Sequence, residues 1–426
     1  MTEAPVTEAP LAKAPLTEAP VTEAPASPTA AARSLRGLDG VNFFMAAVQT
    51  GFGAFVAVYL TENRWTPAEI GFALTISTIC GLVSQVPAGA LVDRLRDKRH
   101  AIGAGTVGVG LAALLLAATP TEPLVYLAEA LQGLGSALIT PGIAATSLMV
   151  VGPDAFGERV GRNARFSSIG NGLTAGIMGV AGSYLAPVSV FWLTAVLTIP
   201  VLLALLMIRP AISQVDDART APSPEPETAP TWTNLRALLM DRRLIVFSMC
   251  IVLFFLSSAA MLPIAATSVT QHHPKLADAI IAVTILLPQA VVAIISPWIG
   301  RTSERAGRRP MLLLGWGLLP LQGLLYATLP TPIALTLGQV VGGASGAAFG
   351  VMMTLVAADI TRGTNLFNLT LGAMGVAISI GASLSTSFAG LIASHFGDQA
   401  AFFGLTLAGL CGLLLLVVGM PETRTG

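Results

Sequence analysis

Gly89-Ala90-Leu91-Val92-Asp93-Arg94-Leu95-Arg96-Asp97-Lys98-Arg99 is a knot of charge between two long apolar runs. It returns downstream as Gly300-Arg301-Thr302-Ser303-Glu304-Arg305-Ala306-Gly307-Arg308-Arg309-Pro310. Both stretches run glycine, three residues, an acid, an arginine and then a basic cluster. A shift of 211 positions lays Asp93 on Glu304 and Arg94 on Arg305. A charge pattern that recurs at the same place relative to its flanking apolar runs marks a chain of two structurally repeated halves.

Working outward from the motif, 54% of the 426 residues are hydrophobic and 11% are charged, with a mean hydropathy of +0.75. A soluble domain carries about 25% charged residues, so this chain cannot furnish a water-facing surface. Its polar residues gather in short intervals between apolar stretches, which is the pattern of an all-α polytopic membrane protein. Cys80, Cys250 and Cys411 all fall inside apolar runs, where packing and not disulfide formation is expected.

The first 25 residues repeat a five-residue unit, Thr-Glu-Ala-Pro at 2–5, 7–10, 17–20 and 22–25 and Ala-Lys-Ala-Pro at 12–15. Proline at every fifth position forbids a stable helix, and the stretch has no basic start followed by an apolar run, as a signal peptide would. It reads as an unstructured tail over 1–35. Twelve spans follow, near 39–60, 67–91, 100–118, 123–149, 164–186, 188–208, 244–268, 277–299, 310–328, 332–358, 365–393 and 398–419. Each is long enough to cross roughly 30 Å of hydrocarbon at about 1.5 Å per residue. Thr66-Pro67-Ala68-Glu69 has the makings of a capping box at the start of the second span.

The one long interior polar segment, 209–243, contains Pro222-Ser223-Pro224-Glu225-Pro226-Glu227 and reads as a linker. It divides the chain into six-helix bundles at 36–208 and 244–421, with a short tail at 422–426. If the N-terminal tail is cytoplasmic, only Arg64 and Lys275 of the 23 Lys and Arg fall in outer loops. That bias predicts both termini inside and a multi-pass protein of the inner (plasma) membrane.

Twelve spans, a six-plus-six division and a doubled loop motif resemble the major facilitator superfamily, from about Arg36 to Pro421. The family pattern between spans two and three is Gly-x-Leu-x-Asp-Arg-x-Gly followed by basic residues. Gly89, Leu91, Asp93, Arg94, Lys98 and Arg99 match it, while Arg96 stands where a glycine is usual. The second copy keeps Gly300, Arg305, Gly307 and Arg308, replaces the aspartate with Glu304 and lacks the leucine. The resemblance implies two pseudo-symmetric six-helix bundles and alternating access. It also implies that Asp93 faces the start of span eleven near Gly363-Thr364-Asn365, and Glu304 the start of span five near Gly161-Arg162-Asn163. Such contacts would tie the halves together on the cytoplasmic side, with Gly89 and Gly300 permitting close approach. A topology signal alone needs no acid, yet both copies keep one.

In span four the family often carries Arg-x-x-Gln-Gly. Here the stretch is Glu129-Ala130-Leu131-Gln132-Gly133, and Glu129, Gln132, Ser136 and Thr140 share one helical face. Glu129 lies about 9 Å below the outer end of the span. An acid at mid-span costs about 2.5–3.5 kcal/mol against lipid, so a cavity carboxylate able to take up a proton or a cation is expected. Asp39, Asn42 and Gln49 share a face of span one, and Asn171, Gln289 and Gln339 fall in other spans that line the family's cavity. By contrast spans 3 and 6 hold no Asn, Gln, Asp or Glu within their expected limits, and span 12 holds only Asp398 and Gln399, at its very start. Span five is rich in glycine but lacks the Gly-Pro pair of many drug/proton antiporters.

The chain contains no Gly-x-x-x-x-Gly-Lys-Ser/Thr loop of a nucleotide-driven pump. His272-His273 has no companion ligands in sequence, so no metal, cofactor or nucleic acid is expected and no enzyme activity. The expected partners are a small-molecule substrate, protons and the lipid bilayer, with the protein acting as a monomer. Efflux of a weakly charged organic compound leads the functional readings. Uptake of a nutrient or metal chelate, and a non-transporting membrane sensor, stand as alternatives.

Overall fold

The computed structural model describes residues 28–209, 240–272, 277–329 and 331–424. The proline-repeat tail, most of the 209–243 linker, His273 and Lys275 lie outside the described residues. The described chain is helical, in the order α1 (Pro28–Thr50), α2 (Ala54–Glu62), α3 (Pro67–Arg94), α4 (Arg99–Ala118), α5 (Glu122–Val151), α6 (Phe156–Tyr184) and α7 (Ser189–Met207). The second half follows as α8 (Arg242–Ser258), α9 (Met261–His272), α10 (Ala277–Ala306), α11 (Arg308–Thr328), α12 (Pro332–Ile360), α13 (Phe367–Phe396) and α14 (Asp398–Gly419).

These make twelve rods, because α1 runs on into α2 and α8 into α9. The first break falls at 51–53, where Gly53 has a φ of +69°, a conformation open to glycine at little cost. The second break falls at 259–260. Eleven of the twelve rods are long and apolar enough to cross a membrane. The twelfth, α6, falls short because Glu158, Arg159, Arg162, Arg165 and a run of Asn, Ser and Gly dilute it.

Three expected boundaries need correction. α1 begins at Pro28, inside the stretch read as an unstructured tail, because Ala30–Ala32 are strong helix formers behind a first-turn proline. α6 begins at Phe156 and not near 164, so its arginine-rich first turns are helical. The second loop motif is mostly helix, since α10 runs on to Ala306. The capping box at α3 forms as read: Thr66 N donates to Glu69 Oε2 at 2.7 Å and Glu69 N to Thr66 Oγ1 at 3.3 Å.

Each half is a bundle with its own apolar packing. Met45, Val48, Val109, Leu116, Ile139 and Phe191 belong to the first bundle, and Tyr326, Leu335, Phe402 and Leu405 to the second. A third cluster crosses between them at the loop-motif end, joining Val92, Ala144, Phe156 and Val160 to Ile299, Met352, Leu355, Phe367 and Leu369. Two helix pairs carry the junction, α3 with α13 and α6 with α10. At their first turns the rings of Phe156 (α6) and Phe367 (α13) meet edge to face, 6.1 Å between centroids.

Candidate functional site

The two acids of the doubled motif each close on a helix start in the opposite bundle. The first turn of a helix leaves N–H groups without intrahelical partners and carries partial positive charge. Leu366, at the N-cap of α13, has no side chain to answer them. Asp93 answers instead. Its Oδ1 accepts from the Asn368 backbone N–H at 3.0 Å and from Asn368 Nδ2 at 2.7 Å, and its Oδ2 accepts from the Leu369 N–H at 2.9 Å. At α6 the N-cap is Ala155, equally mute, and Glu304 Oε1 accepts from the Gly157 N–H at 2.8 Å.

Glycines make those approaches possible. A Cβ on Gly89 would run into the carbonyl of Asn368, and one on Gly300 into the carbonyl of Gly157. Gly372 and Gly161 meet the backbones of Gln85 and Ser296 in the same way. Farther along the same helices the contacts fade. A Cβ on Gly172 would sit 3.5 Å from Gln289 Cβ, and added carbons at Gly71, Gly176, Gly179 and Gly390 would meet nothing within 4 Å. The bundles are therefore sealed at the loop-motif end and splayed at the other.

The connections behind the two acids differ. In the second copy a single residue, Gly307 at φ +91°, joins α10 to α11. Arg308 then reaches back, with Nη1 3.2 Å from Glu304 Oε1 and Nε 3.0 Å from Asp359 Oδ2. Glu422 and Thr423 are docked on the second bundle: Glu422 accepts from the N–H groups of Arg308 at 2.8 Å and Arg309 at 3.0 Å, and Thr423 Oγ1 donates to Asp359 Oδ2 at 3.3 Å. Partial burial pushes the Glu422 carboxyl up, but backbone N–H donors from Arg309, Arg424, Arg308 and Thr423 outweigh it and hold the group below its ordinary value.

In the first copy four residues, 95–98, separate α3 from α4. Lys98 Nζ donates to the carbonyls of Val92 at 2.7 Å and Asp93 at 2.8 Å, closing the end of α3. Asp97 Oδ1 accepts from the Arg99 N–H at 3.0 Å and caps α4. The Arg99 guanidinium on Asp97 holds that carboxyl below its usual range. The longer loop has no left-handed residue, so Arg96 can stand where the family pattern has glycine.

Two cavities lie between the gate and the splayed end. The larger, about 360 Å3, is walled by Ser77, Gln85, Gln132, Ser136 and Thr140 of the first bundle and by Met353, Leu371, Gly375, Ile378 and Ser379 of the second. Gln85 Nε2 and Ser379 Oγ stand 3.4 Å apart across it. The smaller, about 200 Å3, is lined by Asn42, Gln49, Thr140, Asn163, Ser167 and Asn171, with Thr354 from the second bundle. Among the described residues no charged side chain lines either one.

Among the residues singled out by sequence, Gln132 and Ser136 reach the larger cavity and Asn42, Gln49 and Asn171 the smaller. Glu129 is 1% exposed and lies behind the wall, against the Ser77 hydroxyl. Asp39 lines neither cavity. It takes Arg159 Nη2 at 2.7 Å and Arg162 Nη2 at 2.6 Å, and Arg159 goes on to Asn163 Oδ1 at 2.6 Å. Two guanidiniums so close bind its carboxylate as an ion pair between α1 and α6. Gln339 also sits elsewhere: with Gln322 it donates to the Tyr326 hydroxyl, inside the α11–α12 contact. Gln289 is half-buried on α10 facing Gly172, outside both cavity walls. Arg94, Leu91 and Arg305 are exposed. Sequence reading passed over Ser77, Ser379 and Asp359, whose residue types are too common in helices to stand out.

Comparison with known proteins agrees with this architecture. The family model described as Major Facilitator Superfamily matches residues 38–287 and 247–426. Uncharacterized MFS-type transporters from two strains of Mycobacterium tuberculosis are 35% identical over 392 residues, covering 92% of this chain and 94% of theirs. The class B tetracycline resistance protein of Escherichia coli is 30% identical over 145 residues, 33% of this chain and 35% of its own. Among solved structures, the human organic anion transporter MFSD10 (TETRAN) shares the fold at a TM-score of 0.68 and 14% identity, covering 91% of this chain and 99% of its own. With its paired contacts between the bundles, central cavities and twelve rods, the chain belongs to the Major Facilitator Superfamily of membrane transporters.

Proposed function

We propose that the protein is a secondary active transporter that exports a small, weakly charged organic solute by alternating access, coupled to protons through Glu129. The observation that carries this reading is the opposition of the two ends. Asp93 and Glu304 lock helix starts across the bundles at one end, while the same four helices part company at the other. Basic residues crowd the locked end, which the positive-inside bias assigns to the cytoplasm. On that assignment the structure is the outward-facing state, in the plasma membrane.

Uncharged cavity walls, rich in methyl and methylene groups with hydroxyls and amides between them, suit a solute of low charge. Glu129 is the acid buried beside the larger cavity, and a buried carboxylate without a cation is the group that proton uptake would relieve. Asp39, tied by two arginines, has a structural part in this scheme. Resistance to a drug, which the name of the Escherichia coli relative prints, is a trait that export would give and leans this reading toward export.

The test has two stages. A deletion strain is screened for sensitivity to a panel of toxic compounds and for growth on limiting nutrients. Gained sensitivity identifies an exported compound, whereas a growth defect alone would replace export with uptake. Flux of the identified compound in proteoliposomes with an imposed pH gradient then tests coupling. Glu129→Gln should abolish the gradient-driven component, and undiminished flux would remove Glu129 from the mechanism.

A further inference from the structure

Glu129 does not touch the cavity, yet a chain of polar groups leads from it to the cavity wall. One carboxyl oxygen, Oε1, has no donor from the protein. The carboxyl lies against the Ser77 hydroxyl of α3. Ser77 Oγ is bonded to Gln132 Oε1, and Gln132 Nε2 donates to Ser136 Oγ at 3.2 Å. Ser77, Gln132 and Ser136 all line the 360 Å3 cavity.

Hydrogen counting restricts what this chain can do. A serine hydroxyl has one hydrogen, an amide presents donors on one side and an acceptor on the other, and an ionised carboxylate only accepts. In the arrangement above, Ser77 spends its hydrogen on Gln132 Oε1. Toward Glu129 it is then left as an acceptor, the arrangement that suits a protonated carboxyl. Gln132 then occupies a lone pair of Ser136, and the Ser136 hydrogen is left for the cavity. When Glu129 is ionised, Ser77 must turn its hydrogen to the carboxylate. Gln132 rotates its amide so that the NH2 faces Ser77 and Oε1 faces Ser136, which now donates inward. Any mixture sets acceptor against acceptor or donor against donor in a buried place, and leaves a polar group unmatched.

We propose that Ser77 and Gln132 form a reversible relay through which the protonation of Glu129 sets whether Ser136 offers the cavity a hydrogen-bond donor or an acceptor. This rests on the reading of Glu129 as the coupling acid and refines the substrate class. With Glu129 protonated the cavity holds an uncharged solute through a carbonyl- or ether-type acceptor placed at Ser136. Deprotonation withdraws that donor and favours release. One proton enters and leaves at Glu129, while the hydroxyl and amide hydrogens only rotate and no other bond breaks.

Neighbouring charges do not compete for this role. The charged residues of α3 (Glu69, Asp93, Arg94) and α4 (Arg99, His100) stand toward helix ends, as do Arg33 and Arg36 of α1, Glu158 to Arg165 of α6 and His395 of α13, while Asp39, midway along α1, is held by Arg159 and Arg162. Glu122 and Tyr126 lie toward the outer end of α5 itself, and Cys80 is the other titratable side chain at this level of α3.

Infrared difference spectra between low and high pH, on the full chain in lipid, test the relay without a solute. The expected wild-type spectrum contains a protonated-carboxyl C=O band, lost in Glu129→Gln. A glutamine amide C=O shift, lost in Gln132→Leu, should accompany it. In Ser77→Ala the carboxyl band should persist but move to higher frequency, and the amide shift should vanish. Ser77→Thr, which keeps the hydroxyl, should restore both. A carboxyl that titrates while the amide stays still, or an amide shift that survives Ser77→Ala, overturns the relay alone. If no carboxyl band is lost in Glu129→Gln, the coupling role of Glu129 falls and takes the relay with it.

Discussion

Asp93 and Glu304 hold equivalent places in the two halves, yet they tie the bundles at the proposed gate by different means. Asp93 is a short acid that accepts three N–H donors from Asn368 and Leu369. Glu304 accepts from one backbone N–H, that of Gly157, and shares its oxygen with Arg308. Arg308 is in turn bound to Asp359, and its own N–H is held by Glu422. The first gate is therefore a helix cap supplied from outside. The second is the end of a network that runs through the last residues of the chain. Duplicated sequence has been kept where it meets the partner bundle and has diverged in the loops behind.

The largest effects should come from the glycines common to both gates. Gly89→Val or Gly300→Val sets a branched side chain against backbone, and overpacking of this kind costs about 1–3 kcal/mol or more. Either should move the population from the loop-closed to the loop-open form by about tenfold or more. Spin-label distances across the loop-motif end measure it, and unchanged distances would mean that the gate is not closed by this contact.

Next come the acids. Asp93→Asn leaves a backbone N–H or the Asn368 amide unanswered, at about 1–3 kcal/mol. Glu304→Gln keeps an oxygen for Gly157 and loses the charge, so the same distances should shift less than for Asp93→Asn. Equal shifts would erase the distinction between the two gates.

The loops behind them give a sharper contrast. Gly307→Ala must hold a φ of +91° and crowd Glu422, at about 1–3 kcal/mol, and should lower the melting temperature in detergent by a few degrees. Arg96→Gly, which restores the family glycine in an exposed loop with ordinary dihedrals, should stay within about 0.5 kcal/mol.

The smallest effect is on acid stability. The Glu422 carboxyl is depressed in the folded protein, so its contribution is full above the unfolded value of about 4.3 and is lost as pH falls through the lower folded value. Wild-type melting temperature should therefore fall in that acid window, and the fall should be shallower in Glu422→Gln. Identical slopes would show that the C-terminal contact is not ionic.

Much of this was legible in the sequence because the membrane simplifies the code. Apolar runs near twenty residues mark the rods, and the doubled motif marks both the halves and the gate. Asp93 reaches α13 within a few residues of where the motif pointed. Legibility failed where a residue type has two uses. Asp39 shares a helical face with Asn42 and Gln49, but its destination is fixed by Arg159 and Arg162 in a helix more than a hundred residues away. Gln339 lies in a cavity-lining helix but on the face turned to Tyr326. No period in the sequence reports which side of a buried helix meets a cavity and which meets a neighbour. Glu422 was invisible for another reason: it follows the last apolar run, where nothing distinguishes a docked residue from a free one.

The polar start of α6 has a consequence for how the protein is made. A segment carrying Glu158, Arg159, Arg162 and Arg165 partitions poorly into lipid by itself. Its Arg159 side chain is 2% exposed and finds its counter-charge in Asp39, on a helix synthesised well before it. Membrane entry of the fifth rod is therefore expected to depend on the first rod, already in the bilayer with Asp39 in place. The order of synthesis supplies the acid before the arginines that need it.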